Sequence, residues 1–238
     1  MKTIGIIGYG EIGQGLDKVY VENKFYPLIK DLDRDDNLGG VDVLNICIPY
    51  SYDFVAQVTE YIDTLKPGIT IIHSTVPPGT IDKIACSHPN VAHSPIRGIH
   101  PELDKGIKIF VKIFGGPCAH TAATHFEHDL GVECKVYESA KATEIAKLLD
   151  TSYYGVCIAW HDYAKKLCDE HGVDFEEAQT HYNETYNDGY RDLWMDHVIR
   201  PTLTPPDGKI GGHCVVFNAE LLRKELDSKL LEAITDLK

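Results

Sequence analysis

TIGIIGYGEIG, residues 3–13, is an apolar, β-branched run that breaks into Gly8-Tyr9-Gly10-Glu11-Ile12-Gly13, and a helical pattern follows through Leu16 and Val19. Strand, glycine turn and helix in immediate succession open a dinucleotide-binding βαβ unit. Each glycine has a mechanical task. Gly8 permits the tight turn, Gly10 lets backbone approach a pyrophosphate, and Gly13 lets the helix pack close to the strand. The next apolar run, Tyr26 to Ile29, closes on Lys30-Asp31-Leu32-Asp33, which puts Asp31 18 residues beyond Gly13, where a ribose hydroxyl would be held. The expected cofactor set is therefore Gly8, Gly10, Glu11, Ile12, Gly13 and Asp31. A carboxylate at Asp31 repels a 2′-phosphate, so NAD is preferred to NADP; S-adenosylmethionine, also held through a ribose beside a glycine turn, is the alternative.

Further along, Val41–Ile48 (VDVLNICI) reads as a buried strand, Asp53–Leu65 as a helix and Thr70–His73 as a strand. This alternation predicts an α/β fold with a Rossmann-type, doubly wound parallel sheet. Val91–His93 and Lys108–Phe114 read as strands flanking an irregular Ser94–Gly106, and Val132–Tyr137 as the last strand, so an NAD-binding domain is expected over 1–137. From Ser139 to His171 the pattern is helical, interrupted only by Gly155 and stopped by Gly172. At 1.5 Å per residue, a helix of about 30 residues runs about 45 Å, longer than a small domain is wide. With apolar positions at Ile145, Leu148, Leu149, Val156 and Trp160 it is expected at a homodimer interface. A helical region at Phe175–Trp194, a proline-rich stretch at Pro201–Pro206, a glycine turn at Gly211-Gly212-His213-Cys214 and a final helix over about Ala219–Leu237 complete a helical substrate and dimerisation domain over 138–238.

Composition narrows the function classes. A net charge of −13 repels phosphate backbones and anionic lipid, which disfavours nucleic-acid and membrane-surface roles. No apolar run approaches the roughly 20 residues that span a bilayer, and the chain enters a strand pattern at once instead of a signal peptide. Seven cysteines scattered without a C-x-x-C pair fit reduced thiols in a cytoplasmic protein. His120, His125, His128 and Asp129 match no metal-ligand signature and read as a polar helix face, so no metal is expected.

Several segments, in order and spacing, resemble the UDP-glucose/GDP-mannose (nucleotide-sugar) dehydrogenase family: IGIIGYGEIG at 4–13, STVPPGT at 74–80, SPIR at 94–97, KIFGG at 112–116, ATEIAKLLDTSYYG at 142–155 and GGHC at 211–214. That family oxidises a sugar primary alcohol twice, through an aldehyde, to a carboxylate with two NAD. The resemblance implies that Cys214 is a nucleophile that traps the aldehyde as a thiohemiacetal, later a thioester released by water. It implies that the Lys147 ammonium stabilises a developing oxyanion, against the ordinary reading of a solvated helix lysine. It also implies that Thr75 contacts the cofactor, and that Pro49 lines the cofactor cleft unless it merely ends a strand.

The departures bear on the chemistry. The family's water-activating aspartate, four residues after its cysteine, is replaced by Asn218, and an amide cannot accept a proton as a carboxylate does. Thr151 stands for a family asparagine, and Ile96 and His100 stand near two family glutamates, which leaves His100 as a substitute base. Only 24 residues follow Cys214, fewer than the family's C-terminal nucleotide-sugar-binding domain needs, so Arg97 and Arg200 are the candidate anchors for a smaller anionic substrate. The expected function is an NAD-dependent dehydrogenase for a sugar-derived or small hydroxy-acid alcohol; the alternative is an NAD-binding, less readily an S-adenosylmethionine-binding, protein without full dehydrogenase activity.

Overall fold

The computed structural model describes residues 2–210 and 213–237, apart from the side chain of His213. It divides into two compact units, Met1–Lys147 and Leu148–Lys238.

The first unit follows the order β1 (Ile4–Ile7), α1 (Glu11–Glu22), β2 (Leu28–Asp31), β3 (Arg34–Asp35), β4 (Val43–Ile46), α2 (Phe54–Leu65), β5 (Ile69–Ile72), α3 (Thr80–Ala85), β6 (Val91–His93), α4 (Leu103–Ile109), β7 (Lys112–Phe114), α5 (Ala119–Leu130) and β8 (Cys134–Val136). The main sheet runs β3-β2-β1-β4-β5-β6. Every residue of β1 and β4 is buried, as expected of parallel strands covered on both faces. One face packs Leu16, Val19 and Tyr20 of α1 with Leu103 of α4 and Phe126 of α5. The other packs Phe54 and Val58 of α2 with Ile81 and Ile84 of α3. Helices on both faces make the fold doubly wound, as the alternation predicts.

Three details differ from the sequence reading. The edge strand β3 pairs antiparallel with β2, so the sheet is mixed. The apolar run at Lys108–Phe114 is not one strand: Leu103–Ile109 is helical and only Lys112–Phe114 is extended, in a separate two-stranded parallel sheet with β8. The helix wins because Leu103 and Ile107 bury one face in the core beside α1, where Gly15 leaves room; a Cβ on Gly15 would stand 3.1 Å from that of Leu103. Helix α5 carries the expected polar positions, yet His125 on it is buried.

The long helix α6 (Ala140–His171) has the expected extent, 32 residues. In the second unit its continuation is followed by a π-helical stretch (Glu176–His181), α7 (Tyr182–Asp192), a 3-10 turn (Asp196–Val198), α8 (His213–Glu225) and α9 (Lys229–Thr235). Ile210, Ala219, Leu231 and Ile234 form this unit's small core. Gly155 is a site of close approach: a Cβ there would lie 2.7 Å from Val215 Cγ1 and 3.0 Å from Ile234 Cδ1. The expected final helix is broken at Leu226–Ser228, where the Ser228 side chain accepts from the Leu230 amide at 3.2 Å and starts α9. Among the described residues no helix is long and apolar enough to cross a membrane.

Candidate functional site

The glycine turn joins the C-terminal end of β1 to α1, and β1 lies between β2 and β4, where the strand order reverses and α/β sheets open their ligand crevice. Gly8 has φ +90°, and a Cβ there would strike the Cys47 carbonyl carbon at 2.8 Å. Gly13 is tighter still, because a Cβ would sit 2.1 Å from the Gly8 carbonyl oxygen. Gly10 differs from both, with nothing within 4 Å of where its Cβ would be. Its missing side chain serves no internal contact and leaves open the approach that a pyrophosphate needs. Gly10 is also the N-cap of α1 and has no side chain to cap it, so the helix offers the amides of Glu11, Ile12 and Gly13 to an anion.

Asp31, at the end of β2, turns its carboxylate back onto this turn. Oδ2 accepts from the Tyr9 amide, and Oδ1 accepts from the Leu32 amide at 2.6 Å. A carboxylate has about four lone-pair sites, so acceptor capacity remains for a ribose hydroxyl. Tyr9 donates to Asp17 at 2.6 Å, and the nearby Arg34 guanidinium is paired with Asp36.

Pro49 and Thr75 follow β4 and β5, so the parallel register brings both to the same sheet edge as Gly8. Ser74 Oγ donates to the Ile48 carbonyl at 2.6 Å and ties these two loops together. The STVPPGT loop is anchored by buried Glu144 at the start of α6, whose carboxylate accepts from the Gly79 amide at 2.6 Å and the Ile81 amide at 2.8 Å. Burial pushes the Glu144 carboxyl up, while those two amides hold it down. His100 pairs through Nδ1 with Glu11, in the first turn of α1. This puts it beside the glycine turn, whereas the sequence reading has it as a hydrolytic base. Arg97 donates to the Val111 carbonyl and Ile96 is in the core, so neither is presented as a substrate contact.

Lys147, the last residue of the first unit, is half-buried on α6. In the second unit Cys214 is exposed in the first turn of α8, and so lies on a helix instead of in the expected glycine turn; Gly211 and Gly212 of that turn lie outside the described residues. Asn218 follows one turn later and is buried, with its Nδ2 lacking a hydrogen-bond partner among the described residues. Of the other thiols, Cys47, Cys118 and Cys157 are buried, and burial pushes Cys118 up to about 12.

Sequence reasoning missed a buried polar chain that crosses the core of the first unit. Lys2 donates to Asp129, and Asp129 lies 2.6 Å from His125 Nδ1. His125 Nε2 lies 3.0 Å from the Tyr20 hydroxyl, Asn45 donates to that hydroxyl at 3.2 Å, and Asn45 Oδ1 lies 3.0 Å from His73 Nε2. At the far end His73 Nδ1 and Lys112 Nζ converge on the Ser94 carbonyl at 2.8 and 3.2 Å. Burial pushes Lys112 down to about 7 and His73 well below its ordinary value; beside them it brings His93 to about 4. The only trace in the sequence is a lone lysine inside the apolar run IFVKIF.

No protein-family profile matches the chain. Its sequence is 26% identical over 290 residues to a UDP-N-acetyl-D-mannosamine dehydrogenase of Methanocaldococcus jannaschii, covering 99% of this chain and 65% of that protein. The namesake of Methanococcus vannielii is 28% identical over 230 residues, with 87% and 50% covered. The chain thus spans about half to two thirds of the length of these curated relatives. In fold it is similar to a UDP-D-ManNAc dehydrogenase of Pyrococcus horikoshii, with a TM-score of 0.76 at 20% identity over 99% of this chain and 68% of that one. It is also similar to 3-hydroxyisobutyrate dehydrogenase of Mycobacterium tuberculosis, with a TM-score of 0.71 at 18% identity over 99% and 92%. Over the span it shares with them, the chain is thus similar in sequence to UDP-N-acetyl-D-mannosamine dehydrogenases and in fold to several dehydrogenases.

Proposed function

We propose that this chain binds NAD through its first unit and serves as an oxidoreductase for a sugar-derived or small hydroxy-acid alcohol. The observation that carries this reading is the division of labour in the glycine turn: Gly8 and Gly13 are required by contacts inside the protein, whereas Gly10 faces open space next to the Asp31 carboxylate. NAD, when bound, supplies the hydride acceptor. Glu11, Ile12 and Gly13 present backbone amides to its pyrophosphate, Asp31 accepts from its ribose, and Pro49 and Thr75 border the same edge of the sheet. From the family resemblance, Cys214 is the proposed nucleophile toward an aldehyde, Lys147 the proposed oxyanion partner and Asn218 the occupant of the water-activating position. Both substrate classes stay within this reading, the sugar-derived alcohol through the similarity in sequence to UDP-N-acetyl-D-mannosamine dehydrogenases and the small hydroxy acid through the similarity in fold to 3-hydroxyisobutyrate dehydrogenase. The same reading includes a cytosolic setting and a homodimer. Of the positions expected at the dimer face, Leu148 is buried within the chain and Val156 half-buried, so the dimer would form along the stripe of α6 on which Leu149, Tyr153, Trp160, Tyr163 and Leu167 stand exposed at spacings of three, four and seven.

A second reading is favoured by Asn218. Its buried amide is no proton acceptor and leaves the family's hydrolytic step without a base at that position. The protein would then bind NAD with partial or no dehydrogenase activity. Calorimetric titration with NAD, NADP and S-adenosylmethionine, followed by NADH production on UDP-N-acetyl-D-mannosamine and on 3-hydroxyisobutyrate, tests both readings. The expected result is NAD binding at least about tenfold tighter than NADP, since a buried or close like-charge contact costs more than about 1.4 kcal/mol. Absence of NAD binding at millimolar concentration overturns the cofactor assignment, whereas binding without turnover of either substrate selects the second reading.

A further inference from the structure

On the reading proposed above, the strand order assigns the two halves of NAD to different loops. Asp31, at the end of β2, takes the adenosine ribose and the turn after β1 takes the pyrophosphate, so the nicotinamide half extends over the ends of β4 and β5, on the other side of β1. The loop it meets after β5 is STVPPGT, residues 74–80. Between Ser74 and Gly79 this loop is neither helix nor strand, and Pro77 and Pro78 give it no amides to donate.

What holds the loop is the root of α6. His93 of β6 exchanges two backbone hydrogen bonds with Gly115, at 2.8 and 3.0 Å. A Cβ on Gly115 would stand 2.6 Å from the Ser139 carbonyl oxygen and 3.0 Å from Thr143 Cγ2, so this glycine of KIFGG lets the start of α6 press against β6. There the buried His93 ring bridges loop and helix, with Nε2 3.1 Å from the Ser74 carbonyl and Nδ1 2.7 Å from Thr143 Oγ1. A carbonyl only accepts, so Nε2 carries a proton. Burial lowers His93 to about 4, so near neutral pH the ring holds that one proton and Nδ1 must accept. The Thr143 hydroxyl, which also reaches the Ala140 carbonyl at 2.8 Å, is therefore turned to Nδ1, and donation runs one way from Thr143 through His93 to Ser74. One residue on, the Glu144 carboxylate takes the Gly79 and Ile81 amides, and exposed Lys141 pairs with Asp82 at 2.9 Å.

Both ends of the loop are therefore held by consecutive residues of one helix, Ser74 by Thr143 through His93, and Gly79 and Ile81 by Glu144. Lys147 lies one turn beyond Thr143 on the same face of α6, because residues four apart stack along a helix. All of these groups belong to the first unit. We propose that His93, Thr143 and Glu144 are positioning residues for the nicotinamide half of the cofactor, fixing the loop that carries Thr75 against the turn of α6 that leads to Lys147. The proposal rests on the NAD reading and deepens it: the glycine turn and Asp31 hold the ADP-ribose half by themselves, while the hold on the other half depends on the root of α6.

Calorimetric titration of the full chain with NAD and with ADP-ribose, which lacks the nicotinamide ring, separates the two halves. Thr143→Val keeps the shape of the side chain and removes the donor to His93; it should weaken NAD at least about fivefold while ADP-ribose stays within about twofold. Glu144→Gln keeps the volume and one of the two acceptors but turns an NH2 group toward the other amide, and should shift the same ratio in the same direction. Thr143→Ser retains the hydroxyl and should restore the wild-type ratio. A clamp that served stability alone would lower Tm and weaken both ligands alike, because unfolding competes with each of them equally. The proposal is overturned if the ratio of NAD to ADP-ribose affinity is unchanged in Thr143→Val and Glu144→Gln, or if Thr143→Ser fails to restore it. If the wild type binds no NAD at millimolar concentration, the cofactor reading itself fails and takes the clamp with it; if it binds both ligands and the ratio does not respond, the clamp alone fails.

Discussion

The two units spend their apolar residues differently. In Met1–Lys147 two faces of one sheet bury Ile, Val, Leu and Phe from five helices, and even the polar residues of the interior are joined hand to hand from Lys2 to Lys112. In Leu148–Lys238 the core is small, while Leu149, Tyr153, Trp160, Tyr163, Tyr182, Leu193 and Trp194 stand exposed. The first unit also exposes Tyr26, Leu32, Tyr52 and Ile99, but these are scattered, whereas the second carries Leu149, Tyr153, Trp160, Tyr163 and Leu167 along a single helix. The contrast teaches where to look for each kind of information: backbone geometry in the first unit, unmatched side chains in the second.

The sharpest way to break the contrast is at Gly13. Gly13→Ala forces a Cβ against the Gly8 carbonyl, where no flexible atom can yield, and should cost about 3 kcal/mol or more, roughly 10 °C in Tm. Gly10→Ala meets nothing and should leave Tm within about 1 °C while weakening NAD at least about tenfold, a pairing that calorimetry and thermal melts resolve together. Next in size is Asn218 of the second unit. Asn218→Asp places a carboxylate where the amide already lacks a partner, and should cost about 2 kcal/mol or more near neutral pH, with the loss shrinking as the pH falls toward 4. Asn218→Leu should be neutral or stabilising by about 1 kcal/mol if the residue is structural only. An increase in acid release by Asn218→Asp despite its lower Tm would instead support the family's hydrolytic role for this position.

The third prediction concerns pH. Burial lowers Lys112 to about 7, so the unfolded chain binds more protons than the folded one between about 7 and 10.5. The corresponding stability is fully present above the unfolded value and is lost as pH falls through about 7. His93, lowered to about 4, adds a second loss between about 6.5 and 4. Chemical denaturation should therefore show stability rising by about 1 kcal/mol or more from pH 7 to 9, and Lys112→Met should flatten that rise and, by removing a charge that helps to lower His93 and His73, soften the acidic limb as well. The smallest effect is expected at Gly155. Gly155→Ala gains helix propensity but presses on Val215 and Ile234, for a net loss of about 1 kcal/mol readable as a shift of a few degrees.

What the sequence made legible is what the backbone itself demands. Gly8, Gly10 and Gly13 could be read because each role requires a missing Cβ, and α6 because periodicity persists over so many turns that a single glycine cannot disguise it. Lys108–Phe114 reads as one strand because KIFVKIF satisfies strand alternation, while the helix over Leu103–Ile109 draws on the room beside Gly15, which no local pattern records. The break before α9 had a signal in Asp227-Ser228, a capping pair inside an otherwise helical pattern. At the site, Asp31 could be placed by spacing, but the engagement of Arg97 with Val111 and of His100 with Glu11 could not, since both depend on loop paths that no periodicity records. The line from Lys2 to Lys112 was invisible for a related reason: its members come from six different elements or termini and share no interval.

The stretch from Arg200 to Ile210 has no regular structure, yet it is fastened at three points: Asn187 grips Arg200, His161 holds the Leu203 amide, and the Ile210 amide donates to the Leu237 carbonyl at 2.6 Å. Exposed Lys209 lies between the last two fasteners. A trypsin cut there would sever the covalent chain without releasing either piece, because Ala219, Leu231 and Ile234 of the C-terminal piece pack with Val156 and Ile158 of α6. The nicked protein would give two bands on a denaturing gel and one peak on a sizing column, behaving as a clasped pair of fragments in place of a single polymer.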